Sequence, residues 1–255
     1  MNVTHYHALT ERLKEALYAR DDVIALMALG SMAGIDRQPD EYSDHDFFVI
    51  TQANRQQHYR DTTDWLPYPE QIILHFQETA HGCKAIYNDA HLLEYAIFDR
   101  EELKVARINS YAVLFSKVDL SDDLKPIRHT ELPTIDVQRT YDAMLSNILV
   151  GSMRAKRGEK LSATTFIKQY ALTSFITLCW QQLAPDSPHR DTLDPMRRFE
   201  QQFPQLATDI EKTAQLPVLE SAKSLLRLVE LFLSDTVPDS RAEAIDIIAK
   251  RIATD

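Results

Sequence analysis

Apolar side chains at Tyr6, Leu9, Leu13 and Leu17 recur every three or four residues. That spacing lines one face of an α-helix, so an amphipathic helix is predicted over roughly residues 4–20. "DVIALMALG" (22–30) is different: a short, almost unbroken apolar run that ends on a glycine and reads as a buried strand. "HDFFVIT" (45–51) reads as a second strand, and the polar stretch "QANRQQHYRDTTDWL" (52–66) as a helix. Four more short β-like pieces follow: "QIILHFQ" (71–77), "CKAIYN" (83–88), "HLLEYAIF" (91–98) and "YAVLFSK" (111–117).

The texture changes between Pro126 and Pro133, in "PIRHTELP". Beyond it the 3.6-residue period dominates, and helices are predicted over 134–158, 162–183, 194–206, 217–235 and 240–255. Ser, Asp and Pro punctuate their starts, and Gly158 stands where the first of them should stop. The predicted fold class is α+β: an N-terminal mixed sheet with flanking helices over 1–130, then an all-α helical bundle over 131–255. There are no internal repeats and no low-complexity tracts.

Composition changes this picture little. The chain has 255 residues, 44 % apolar and 26 % charged, as in ordinary globular proteins. No apolar run approaches the ~20 residues of a membrane span. The first residues lack the basic start and greasy stretch of a secretory signal, so the cytoplasm is the expected compartment. Cys83 and Cys179, far apart and flanked by apolar residues, read as reduced, buried thiols. The histidines show no metal-ligand spacing. A formal net charge of −10 repels phosphate backbones and disfavours a long nucleic acid as partner, while a small cationic substrate is attracted.

The candidate chemistry lies in "MALGSMAGIDRQPDEYSDHDFFVIT" (27–51). Successive strand residues face opposite ways, so Asp44 and Asp46 point to one side and His45 and Phe47 to the other. Two adjacent carboxylates repel unless a cation lies between them, and Mg²⁺ accepts such oxygen ligands while keeping room for water and phosphate oxygens. Gly30 lets the backbone approach a phosphate closely, and the Ser31 hydroxyl and nearby N–H groups are candidate donors to it. Glu94, a lone acid on an apolar β-like run, is the candidate third carboxylate, as a ligand of a second ion and as the base that takes a hydroxyl proton. Asp99 competes for that role but reads better as a helix cap. Among the helices, Lys168 shares a face with apolar residues and is a candidate triphosphate contact, against the reading of a core-facing lysine that snorkels to water. The run Arg154, Lys156, Arg157 and Lys160 is a phosphate candidate, or else simply complements a helix C-terminus.

Gly30-Ser31 followed after a loop by Ser43-Asp44-His45-Asp46-Phe47 resembles the signature of the DNA polymerase β-like nucleotidyltransferase superfamily. With a helical half after the α/β half, the resemblance is nearest to the nucleotidyltransferases that inactivate aminoglycoside or lincosamide antibiotics. It covers roughly residues 22–100 by motif and the rest by architecture. It implies a catalytic α/β domain, ATP or another nucleoside triphosphate held at Gly30, Ser31 and Ser43, and two Mg²⁺ ions on Asp44 and Asp46 with Glu94 beside them. The implied reaction moves a nucleoside monophosphate to the hydroxyl of a small acceptor and releases pyrophosphate. The long acidic loop "GIDRQPDEY" and the loose spacing to Glu94 depart from the pattern. Two other readings stay open: modification of a protein or tRNA by the same core, and a nucleotide-binding regulator without turnover.

Overall fold

The computed structural model describes residues 2–254 apart from 36, 109, 126–131, 133 and 238. The chain divides into two compact units, Met1–Glu131 and Leu132–Asp255. Apart from Leu132, the segment where the sequence texture changes, 126–133, lies outside the described residues.

The first unit opens with helix α1 (Val3–Tyr18), capped by the Asn2 side chain, which accepts from the His5 N–H at 2.8 Å. Its stripe of Tyr6, Leu9, Leu13 and Leu17 is buried, as the 3.6-residue period requires. Strand β1 (Val23–Leu29) runs into a single helical turn, α2 (Gly30–Ala33), and strand β2 (His45–Thr51) follows the loop. Helix α3 covers only Gln56–Asp61, shorter than the predicted 52–66. Asn54 takes a positive φ of 65° just before it. After it the Trp65 indole donates to the carbonyls of Tyr59 and Thr62, which folds the chain back in turns instead of extending the helix. Strands β3 (Ile72–Gln77), β4 (Gly82–Tyr87), β5 (Leu92–Phe98) and β6 (Tyr111–Ser116) and the short helix α4 (Ser121–Leu124) complete the unit.

The six strands form one mixed sheet in the order β3-β4-β5-β2-β1-β6, in which β2 and β5 are parallel and the other pairs antiparallel. The pleat sorts its side chains into two cores. Leu26, Ala28, Phe47, Val49, Leu93, Tyr95 and Ile97 face the α1 stripe. Ala25, Met27, Leu29, Ile50, Ala96 and Phe98 face the other way and pack with Leu103, Ala106, Ile108 and Leu120. Asp46 and Glu94 belong to this second face by alternation, two residues before Phe48 and Ala96.

The second unit is helical throughout its described secondary structure: α5 (Val137–Lys156), α6 (Lys160–Thr164), α7 (Leu172–Leu183), α8 (Phe199–Gln202), α9 (Pro204–Gln215), α10 (Val218–Leu233) and α11 (Asp239–Ala253). Between α6 and α7 the helix widens to a π-helical stretch, Thr165–Ala171. The helix predicted over 194–206 is broken: Arg198 takes a positive φ of 62°, and Pro204, which lacks an N–H, starts a new helix. The core is built on Tyr141, Ile148, Phe175, Trp180, Leu225 and Val229. Cys83 and Cys179 are free and buried, in separate units. None of the described helices is long and apolar enough to cross a membrane.

Candidate active site

Register brings the acids together. On the parallel pair β2 and β5, Asp46 lies opposite Glu94, and on the antiparallel pair β4 and β5, Lys84 lies opposite Glu94. Neighbouring strands are about 4.8 Å apart, so these side chains stand side by side on one face. Asp44 immediately precedes β2 and is two residues from Asp46. Both aspartates are half-buried, while the Glu94 side chain keeps 47 % of its surface exposed. Glu94 is paired with the Lys84 ammonium at 3.6 Å, and the same ammonium binds Glu78 at 2.9 Å.

Gly30 directly follows β1, the strand next to β2, and has φ +50°. A Cβ built on it would stand 3.7 Å from Asp46 Oδ2, so the backbone of the Gly-Ser step lies against that carboxylate. The left-handed backbone favours glycine, because other residues meet their own carbonyl there. Ser31, the next residue, is buried, with its hydroxyl in hydrogen-bonding reach of the Tyr6 phenol. Strand, glycine, serine and carboxylate thus occupy one corner of the sheet.

The remaining expected contacts are placed differently. Ser43 is buried and its hydroxyl is committed within the loop, donating to Asp40 Oδ1 at 2.9 Å and accepting from the Asp40 N–H at 3.0 Å. Lys168, expected at a triphosphate, donates to the carbonyls of Ala214 and Leu216 at 2.7 and 2.6 Å. It thereby satisfies carbonyls at the C-terminus of α9, where a cation is favoured. In the basic run, Arg154 donates to Ser162 and lies 4.5 Å over the Phe166 ring, and Lys156 donates to the Thr254 carbonyl. Arg157 and Lys160 are exposed. Asp99 is a cap: its Oδ1 accepts from the N–H groups of Glu101 and Glu102 at 2.9 and 2.8 Å.

Among the described residues, no three His, Cys, Asp or Glu side chains converge as one metal cage. The expected gathering of Asp44, Asp46 and Glu94 on shared ions is therefore not preassembled, and Glu94 turns to Lys84 instead. The donor set still fits magnesium, which binds through one or two carboxylates and completes its shell with phosphate oxygens and water.

Several neighbours of the acids are not singled out by the residue pattern. Tyr6 heads a stripe of leucines and reads as core, yet its hydroxyl donates to the Asp44 carbonyl at 2.9 Å. Burial, with Asp44 and Asp46 close by, pushes its pKa far above the usual phenol value. The hydroxyl itself was the available signal, since a buried tyrosine needs a partner for it. Arg37, also near enough to act on Tyr6, brings a positive charge from the loop. An open depression beside Asp44 is bounded by Glu41, Tyr42, Asp89 and His91.

No family model matches the sequence, and no curated protein is significantly similar to it. Solved structures do show likeness. An aminoglycoside 6-adenyltransferase from Bacillus subtilis aligns at 11 % identity over 96 % of this chain and 97 % of its own, with a TM-score of 0.39. A nucleotidyltransferase-like protein from Exiguobacterium sibiricum aligns at 12 % identity over 96 % and 78 %, with a TM-score of 0.34. A spectinomycin adenyltransferase from Enterococcus faecialis, solved with ATP and spectinomycin, aligns at 13 % identity over 97 % and 99 %, with a TM-score of 0.27.

Proposed function

We propose that the protein is a magnesium-dependent nucleotidyltransferase that moves a nucleoside monophosphate, from ATP in the first instance, to a hydroxyl of a small molecule. One observation carries the reading: Gly30, Asp46 and Glu94, separated in sequence, stand at one corner of the sheet through strand register and the left-handed backbone at Gly30. Gly30 is exposed at the strand end, where a phosphate can approach the backbone, and the carboxylates beside it suit the divalent ion that accompanies a triphosphate. Bound there, the ion would neutralise charge on the triphosphate and on the departing pyrophosphate. Asp44 and Asp46 would hold it. Glu94 would orient the acceptor hydroxyl and take its proton as that oxygen attacks the α-phosphorus and the bond to pyrophosphate breaks.

The acidic depression next to Asp44 and the net charge of −10 favour an acceptor carrying amino groups. Aminoglycoside antibiotics are therefore the first acceptors to test, and lincosamides the second.

The test is pyrophosphate release by the purified chain with Mg²⁺, each of four nucleoside triphosphates and a panel of antibiotics. Turnover should require one acceptor and should fall by about 100-fold or more in Asp46→Asn, with the fold intact. Glu94→Gln should retain nucleotide binding while losing turnover. Release of pyrophosphate by Asp46→Asn at the parent rate would refute the assignment. Transfer of label from α-labelled ATP to protein or tRNA alone would replace the small acceptor by a macromolecule.

A further inference from the structure

We propose that Tyr6, supported by Thr10, is a positioning residue that sets the directions of Asp44 and Asp46 from the opposite face of the sheet. The inference rests on the nucleotidyltransferase reading, since it concerns the same carboxylates. His45 stands between the two aspartates and points away from them, into the core under α1, where it is fully buried. The Tyr6 ring stacks on its imidazole with centroids 3.8 Å apart and planes 24° from parallel. A phenylalanine would pack that way equally well. The buried hydroxyl is costly unless it is bonded, and its bond goes to the main-chain oxygen of Asp44.

The contact continues through side chains behind the strand. The Thr10 hydroxyl lies 3.1 Å from the Tyr6 carbonyl and 2.9 Å from His45 Nε2, and His45 Nδ1 lies 2.6 Å from His91 Nε2. Either imidazole tautomer of His45 can serve both of its contacts, because hydroxyl and imidazole each donate or accept. Both ring nitrogens of His45 are therefore engaged, while the Tyr6 hydroxyl donates to the Asp44 carbonyl.

Helix α1 thus holds the backbone at Asp44 through its carbonyl and at His45 through its side chain. With both ends tied, the peptides on either side of His45 cannot rotate independently, and those peptides aim the flanking carboxylates. The network also ties β2 to the start of β5, because His91 immediately precedes that strand. This is support for ligands by the residues behind them, whose loss commonly lowers metal affinity or activity by about 10- to 100-fold.

Tyr6→Phe tests the idea, since it keeps the stacked ring and deletes the hydroxyl that donates to Asp44, and with it the partner of the Ser31 hydroxyl, a contact that Thr10→Val leaves in place. Melting temperature and circular dichroism should stay near the parent's. The Mg²⁺ concentration needed for half-maximal ATP binding, followed by calorimetry, should rise about tenfold, and kcat should fall by a similar factor. The KM for the acceptor should be unchanged. Should Tyr6→Phe fold poorly, Thr10→Val breaks the other end of the network and should give the same pattern. Parent-like magnesium dependence and kcat in a well-folded variant, with Asp46→Asn inactive, would overturn the positioning role and leave the nucleotidyltransferase reading standing. Parent-like behaviour of Asp46→Asn itself would overturn both.

Discussion

Asp46 and His45 are adjacent on one strand and serve opposite faces, so the site and its support are written into alternate residues. The support has a consequence for acid stability. Burial holds His45 at a pKa of about 3, against 6.5 unfolded, and lowers His75 and His91 in the same direction. Between those limits the unfolded chain binds protons that the folded chain refuses, so stability falls as pH drops below about 6.5. For His45 alone the loss amounts to about 2 kcal/mol by pH 5. Urea midpoints measured at pH 7 and pH 5 should differ accordingly, and His45→Asn should flatten that slope whatever it does to stability at pH 7. At this scale the sequence shows which residues are acids and which way they alternate. It does not show that Tyr6, Thr10 and His91 meet at His45, because those contacts span as many as 46 residues of chain.

Among the elements, the strand β2 lies at its predicted bounds of 45–51, and β1 nearly so. Both are buried apolar runs whose alternation has one stable solution in a sheet. The misjudged elements, 52–66 and 194–206, are those where turns compete with helix formers. A further element-scale feature is hidden in the pattern altogether. Gly151 lies in the interior of α5, where glycine costs about 1 kcal/mol relative to alanine. It is there because α5 passes close to the widened turn: a Cβ on Gly151 would stand 2.7 Å from Ile167 Cγ1 and 3.0 Å from Phe166 Cβ. Gly151→Ala should therefore destabilise the helical unit by about 1–3 kcal/mol despite its better helix propensity, as read by chemical denaturation. A gain in stability would show that the helices separate freely at this contact.

For the molecule as a whole, two compact units mean that a single unfolding transition cannot be assumed. Each unit carries one tryptophan, Trp65 in the first and Trp180 in the second, and both are buried. Trp180→Phe leaves a reporter in the first unit, and Trp65→Phe one in the second. Mg²⁺ with ATP at about 100 times its Kd should stabilise the state that binds it by about 2.7 kcal/mol. Since Gly30, Asp44, Asp46 and Glu94 all lie in Met1–Glu131, the Trp65 transition should rise on adding Mg²⁺ and ATP, and Asp46→Asn should abolish the rise. No shift of the Trp65 transition in Trp180→Phe, with Asp46 intact, would contradict binding at this corner.

The sequence by itself determined the α/β and helical texture, the buried stripe of α1, the alternation at Asp44 and Asp46 and the glycine at position 30. Each of these is a local matter, decided by the period of apolar residues or by the backbone that one residue permits. Only the tertiary structure decided that Glu94 stands opposite Asp46, that Lys84 pairs with it, that Lys168 caps a helix, and that a tyrosine from the first helix grips Asp44. The reason is geometric: periodicity says which side of a strand or helix a residue takes, while strand order and register say what stands beside it.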